Sequence, residues 1–179
     1  MTVQAHHALE AFLERPNTST EDSPVRVAIS GAQTFINVRS PSGGDGLPAT
    51  ANTFLSGESN IYWLGPDEWL CVGSEEDARA AAGEGATFAD VSDGYVQLMI
   101  TGSAAADVIA KGCTLDLHPD VFTQGQCAQT SIARADVLIA RPGGEAGFCL
   151  IVRRSFAEYL ALWLRAAGKH EGIGFHPSA

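Results

Sequence analysis

Basic residues are scarce in this chain: 11 Lys and Arg stand against 21 Asp and Glu among 179 residues, a formal net charge of −10. That balance removes the electrostatic footprint by which proteins grip nucleic-acid phosphates or anionic membranes, so neither is an expected partner. Long apolar runs are also missing. The first 14 residues have neither the basic start nor the continuous apolar centre of a secretory signal, and the apolar runs elsewhere are too short to span a bilayer. A soluble, cytoplasmic protein is the expectation. The four cysteines, Cys71, Cys113, Cys127 and Cys149, form no CxxC pair. Two of them sit in strand-like apolar runs, where cysteine packs as a small hydrophobe, so reduced thiols are expected. Cys113, His118 and Cys127 share one loop region but lack the tight ligand pairs of a structural zinc site. The adjacent His6 and His7 lie in a polar tail and read as solvated.

Reaction motifs are missing as well. There is no GxSxG elbow and no HExxH, and Ser42-Gly43-Gly44-Asp45-Gly46 lacks the preceding strand and following helix of a phosphate cradle. What is present is a chain 45% hydrophobic and 18% charged, able to bury on the order of 70% of its unfolded surface in one core. Residues 1–24, which include Pro16 and Glu21-Asp22-Ser23-Pro24, read as a flexible tail and linker too polar to pack alone. Residues 25–179 read as one α+β domain.

Within that domain Val25-Arg26-Val27-Ala28-Ile29 alternates at period two, and residues 34–38 follow a break at Gly31, which reads as a pair of strands. Trp63-Leu64-Gly65-Pro66-Asp67-Glu68-Trp69-Leu70 is a hairpin whose turn is written in proline and acidic residues, with two tryptophans beside it. Ser74 then caps a helix with an acidic first turn, expected to end near Gly83. Asp93-Gly94 predicts a type I′ turn joining strands at 87–92 and 95–101, with Val96, Leu98 and Ile100 on one face. A helix should follow from Gly102-Ser103 to Ala110, closed by Gly112 as a left-handed cap. Residues 127–133, 137–140 and 148–152 predict a three-stranded meander with turns at Ala135-Asp136 and Pro142-Gly143-Gly144. Ser155-Phe156-Ala157-Glu158 has capping-box form, and Phe156, Leu160, Trp163, Leu164 and Ala167 fall on one face of a final helix. A proline turn, a strand ending in valine and a serine-capped helix occur twice, at Pro66, Val72, Ser74 and at Pro142, Val152, Ser155. That echo suggests two related strand, turn, strand, helix units, with helices packed on one face of antiparallel sheet.

No catalytic set emerges. Asp67 and Glu68 are adjacent carboxylates on a turn, a place where such groups are solvated or capping more often than acid or base catalysts. Asp90 and Asp93 flank Ser92 and serve its turn. His118, between Leu117 and Pro119, has Asp116 two residues away, but a histidine without a nucleophile and partner set reads as structural.

Five ordered motifs resemble the gamma subunit of heterotetrameric sarcosine oxidase. They are the Trp63 to Leu70 segment, Val91-Ser92-Asp93-Gly94, Lys111-Gly112-Cys113-Thr114-Leu115-Asp116-Leu117-His118-Pro119, Cys127-Ala128-Gln129-Thr130, and Arg154-Ser155-Phe156-Ala157-Glu158-Tyr159-Leu160. The resemblance covers residues 60–167 and fades upstream. It implies a fold related to the folate-binding domains of the glycine-cleavage T-protein. It also implies a place beside alpha, beta and delta subunits, mainly alpha, in a complex that oxidatively demethylates sarcosine. In that family FAD, FMN, NAD and the folate pocket belong to the larger subunits and zinc to the small one, so this chain should bind no cofactor and be inactive alone. Trp63, Asp67, Glu68, Trp69, Asp116, His118, Phe156 and Tyr159 are then candidates for the scaffold or its interface. Two other readings are a gamma subunit of a sister demethylase acting on dimethylglycine, and a free-standing T-protein-like folate binder. The latter shares Lys111-Gly112-Cys113 but not the sequence that follows it here.

Overall fold

Strand chemistry in this chain is written for two faces at once. In the computed structural model, which describes residues 8–9, 23–143 and 147–178, the strands sort into a six-stranded and a five-stranded sheet packed face to face. The six-stranded sheet has the order β11-β1-β7-β10-β9-β8. It comprises β1 (Val25–Ile29), β7 (Tyr95–Thr101), β8 (Cys127–Ile132), β9 (Ala135–Ala140), β10 (Gly147–Arg153) and β11 (Ile173–Pro177). The five-stranded sheet has the order β3-β4-β5-β2-β6. Its members are β2 (Phe35–Arg39), β3 (Phe54–Leu55), β4 (Asn60–Gly65), β5 (Glu68–Val72) and β6 (Thr87–Asp90). All pairings are antiparallel except β1 with β11.

Alternation along each central strand divides its residues between two cores. Phe148, Leu150 and Val152 of β10, with Val96, Leu98 and Ile100 of β7, face the helices α2 (Ala105–Ala110) and α3 (Arg154–Ala167). Cys149 and Ile151 point the other way and meet Phe35, Tyr62, Leu70 and Val72 of the second sheet. Trp69 and Cys71 on the far face of that sheet, with Ile36 and Val38, pack against Ala78 of α1 (Glu75–Ala81). The result, among the described residues, is four layers, helix, sheet, sheet, helix, in which each sheet carries helices on one face. This is the α+β arrangement expected, and the two strand, turn, strand, helix units are both present. They lie in different sheets, back to back. Within the 1–24 stretch, Leu9 is fully buried against the six-stranded sheet's helical side; residues 1–7 and 10–22 lie outside the described residues.

Several local expectations are corrected. Strands β1 and β2 both form as read, but in different sheets, because both edges of β1 are taken by β7 and β11 and the chain changes sheet between them. Asp93-Gly94 is not a hairpin turn either. β6 pairs with β2 while β7 pairs with β1 and β10, and Ser92–Gly94 is a short 3-10 turn linking the sheets. Gly94 is absent from the positive-φ glycines, and Ser92 Oγ instead accepts the amide of Phe35 at 2.9 Å. The meander β8-β9-β10 forms as expected, but its first turn is at Ala133-Arg134, with Ala133 at φ 53°. Helix α3 starts at Arg154 with Arg153 as its cap residue and no side-chain cap bond, so the Ser155 capping box does not operate. Ser74 does cap α1, accepting from Asp77 N at 3.0 Å.

Gly112 is no left-handed cap. It is a point of close approach: a Cβ placed there would lie 2.5 Å from Cζ2 of Trp163. The indole of α3 lies over the end of α2, which requires the missing side chain.

Candidate functional site

The tryptophan hairpin places Trp63 and Trp69 directly opposite each other on β4 and β5, with a register shift between Trp63 and Gly65. Trp69 is buried and its Nε1 donates to the carbonyl of Pro48 at 3.0 Å, so it pins the irregular segment before β3. Trp63 is half-buried at the edge of the same cluster. The acidic turn has a specific partner: Arg39 at the end of β2 reaches Asp67 at 3.1 Å and Glu68 at 2.9 Å. Glu68 also accepts from Asn37 Nδ2 at 2.8 Å. Both carboxylates are thus tied to β2, in a clamp exposed enough that each ion pair contributes under about 1 kcal/mol.

Asp116 and His118 sit on the loop between α2 and β8. The Asp116 carboxylate accepts from the backbone amide of His118 at 2.9 Å, a local turn bond in place of a contact with the imidazole. His118 Nδ1 accepts from Asp120 N at 3.3 Å and lies 3.7 Å from Asp120 Oδ2. The ring is exposed. What fastens this loop is Arg141, donating to the carbonyls of Leu117 at 3.2 Å and Phe122 at 3.1 Å.

Phe156 and Tyr159 are on the outer face of α3. Sequence spacing put Phe156 with the core residues, but the face that meets the sheet is Ala157, Leu160, Ala161 and Leu164. Phe156 is 44% exposed and Tyr159 38%, their rings in edge contact with centroids 6.4 Å apart. The eight candidates therefore occupy three separate places: the hairpin end of the five-stranded sheet, the α2–β8 loop and the outside of α3.

A feature not foreseen is a cleft of about 440 Å³ where the two sheets part. Leu64 at the β4 irregularity and Leu138 with Ile151 form its apolar floor, and Gln129, Asp136 and Arg153 stand at its rim. Each rim group has a partner of its own: Gln129 Nε2 donates to Leu64 O at 2.8 Å, Ser131 Oγ donates to Asp136 Oδ1 at 2.9 Å, and Arg153 lies 4.6 Å over the Tyr95 ring. Only the packing of one sheet on the other creates this cleft, so no local sequence signal marks it.

The thiols face inward. Burial pushes Cys149 up to about 12 and Cys127 up to about 11, from an ordinary 9.0; both are held as neutral thiols, unsuited to nucleophilic work. Tyr62, whose hydroxyl meets Cys149 Sγ at 3.7 Å, is likewise pushed up by burial. Among the described residues no three His, Cys, Asp or Glu side chains gather in a metal-binding group, and Cys113 instead neighbours Thr130 Oγ1 at 3.8 Å. Nor is any helix among them long and apolar enough to cross a membrane.

Two face-to-face sheets with helices outermost define an α+β module. Its fold is that of the glycine cleavage system aminomethyltransferase T from Bartonella henselae, which aligns over 86% of this chain and 48% of that one at a TM-score of 0.63 and 18% identity. The chain belongs to the sarcosine oxidase, gamma subunit family, whose model matches residues 28–170. The gamma subunit of sarcosine oxidase from Corynebacterium sp. strain U-96 is 36% identical over 129 residues, 68% of this chain and 62% of that relative. The chain thus spans about three fifths of that relative's length. A chain of the heterotetrameric sarcosine oxidase structure from Corynebacterium sp. U-96 matches at a TM-score of 0.77 and 28% identity, covering 92% of this chain and 93% of that one.

Proposed function

We propose that this protein is the non-catalytic gamma subunit of a heterotetrameric sarcosine oxidase, assembled with alpha, beta and delta chains and docked mainly on alpha. The complex would oxidise the N-methyl group of sarcosine, giving glycine with formaldehyde or methylene-tetrahydrofolate and passing the electrons to oxygen as hydrogen peroxide. FAD, FMN, NAD and zinc would be held in the other subunits. The observation that carries this reading is the end-to-end match with a chain of a solved heterotetrameric sarcosine oxidase, at 92% and 93% coverage. The engagement of Asp67, Glu68 and Asp116 in structural bonds supports it.

The test is co-expression with and without the alpha, beta and delta chains from the same organism. The four chains together should purify as one yellow complex that consumes oxygen with sarcosine, and this chain alone should carry no flavin absorbance and no activity. Turnover of sarcosine by the single purified chain, or failure of the four to associate, would overturn the assignment.

A further inference from the structure

Helix α3 is apolar on the side away from its sheet as well as on the side that meets it, its charges gathered along one flank. Its 14 residues, Arg-Ser-Phe-Ala-Glu-Tyr-Leu-Ala-Leu-Trp-Leu-Arg-Ala-Ala, contain four polar side chains, Arg154, Ser155, Glu158 and Arg165. Ala157, Leu160, Ala161 and Leu164 cover the six-stranded sheet. At 100° per residue the direction opposite that buried face is occupied by Ser155, Tyr159, Leu162 and Ala166, with Phe156 and Trp163 along one flank and Arg154, Glu158 and Arg165 along the other. A helix at a water boundary carries charge in that position; a helix apolar on both sides is covered on both. Five large apolar side chains stay exposed among the described residues, and three of them, Phe156 at 44%, Tyr159 at 38% and Leu162 at 41%, are on this one helix.

Charge says what kind of surface covers it. The chain as a whole is acidic at −10, yet from Arg153 to Lys169 four cations, Arg153, Arg154, Arg165 and Lys169, accompany the single acid Glu158. Aromatic side chains bordered by arginine are the composition of interface centres. A second copy of this chain fits poorly, because a two-fold contact with antiparallel helices would set Arg154 of one against Arg165 of the other. Arg153 both precedes α3 and walls the inter-sheet cleft, so the helix face runs on toward that opening.

We infer that the outer face of α3, centred on Tyr159 and Leu162 with Phe156 beside them, is the docking surface for a different protein subunit, one that presents an apolar groove edged by carboxylates. This rests on the subunit reading and adds to it the face used and the chemistry of the partner.

The experiment pulls down the alpha, beta and delta chains with the tagged full-length protein, comparing wild type, Tyr159→Ser with Leu162→Ser, and Leu55→Ser as a control at another exposed apolar residue, on β3. Circular dichroism and melting temperature verify the fold of each variant; should the double variant melt early, Tyr159→Ser alone replaces it. Losing two interface centres predicts a fall in affinity of about thirtyfold or more. Leu55→Ser should retain wild-type affinity, and binding of the wild type should weaken as salt rises. Wild-type affinity in the α3 variant, or equal loss in the Leu55 variant, overturns the docking face while leaving the subunit reading intact. Failure of the wild type to bind any of the three chains overturns both. A self-association abolished by the α3 variant would assign the face to a second copy instead. A tenfold gain in affinity on removing residues 1–22 would assign it to the chain's own N-terminal segment; either result overturns the inference.

Discussion

Replacing Gly112 by alanine tests the packing of the helical layer most directly. An added Cβ would sit 2.5 Å from Cζ2 and 2.7 Å from Cη2 of Trp163, and 3.1 Å from the backbone nitrogen of Ala133. Neither neighbour yields easily. The indole is wedged between α3 and the end of α2, and the Ala133 amide is bonded to the Gly112 carbonyl at 2.8 Å. Forcing a methyl group into such a contact costs about 1–3 kcal/mol. Alanine also narrows the unfolded ensemble, which offsets roughly 0.4–1 kcal/mol of that cost. A net loss of about 1–2 kcal/mol follows, and in a chain of this size each kcal/mol lowers the melting temperature by roughly 2–4 °C. Urea denaturation followed by circular dichroism reads the change. Gly112→Asn separates this explanation from a left-handed cap: such a cap accepts asparagine, whereas the indole should reject it more strongly than alanine. Trp163→Leu should relieve the clash, so that Gly112→Ala adds under about 0.5 kcal/mol in that background. Stability of Gly112→Ala within 0.5 kcal/mol of wild type, or tolerance of asparagine, would refute the argument.

Three further outcomes are expected. Ser74→Ala should cost about 1 kcal/mol by removing the acceptor for Asp77 N, while Ser155→Ala, which touches no cap bond, should stay within about 0.5 kcal/mol of wild type; equal losses in denaturant midpoints would contradict the assigned caps. Trp69→Phe leaves the Pro48 carbonyl unpaired and should cost about 1–3 kcal/mol, against under about 1 kcal/mol for Asp67→Asn in the exposed clamp with Arg39; the reverse ranking would sink the anchor role. Cys149 and Cys127 have folded values raised above the unfolded 9.0, so their contribution is whole below pH 9 and is lost as pH rises toward about 11–12, at up to about 1.4 kcal/mol per pH unit for each thiol. Urea midpoints at pH 8, 9.5 and 10.5 should fall accordingly, less steeply in Cys149→Ala, and a flat profile would count against the buried thiols.

Much of the local structure is legible in the residues because it depends on near neighbours. Period-two alternation marks β1 and β7, proline with acidic residues marks the β4-β5 turn, and Ser74 followed by three acids marks the start of α1. The candidate residues of the tryptophan hairpin were legible for the same reason. Partnership is not local. Asp93-Gly94 has the composition of a hairpin, yet the strands on either side of it enter different sheets because each finds its buried partner far along the chain, β2 for one and β1 with β10 for the other. The partner of β1 at its outer edge, β11, comes from the last residues of the chain and carries no strong signal of its own.

By itself, then, the sequence determined the kinds of element, the absence of the familiar hydrolase, metalloprotease and phosphate-loop motifs, and through five ordered motifs the family. The tertiary structure alone decided that β1 and β2 part company, that Arg39 captures Asp67 and Glu68, that Gly112 is vacant for Trp163, and that Phe156 with Tyr159 looks outward. A helix apolar on two opposite sides does not state which of them meets its own sheet. That is settled by the direction in which the strand before it ends, and β10 ends at Arg153 with Ala157 and Leu160 turned toward the core.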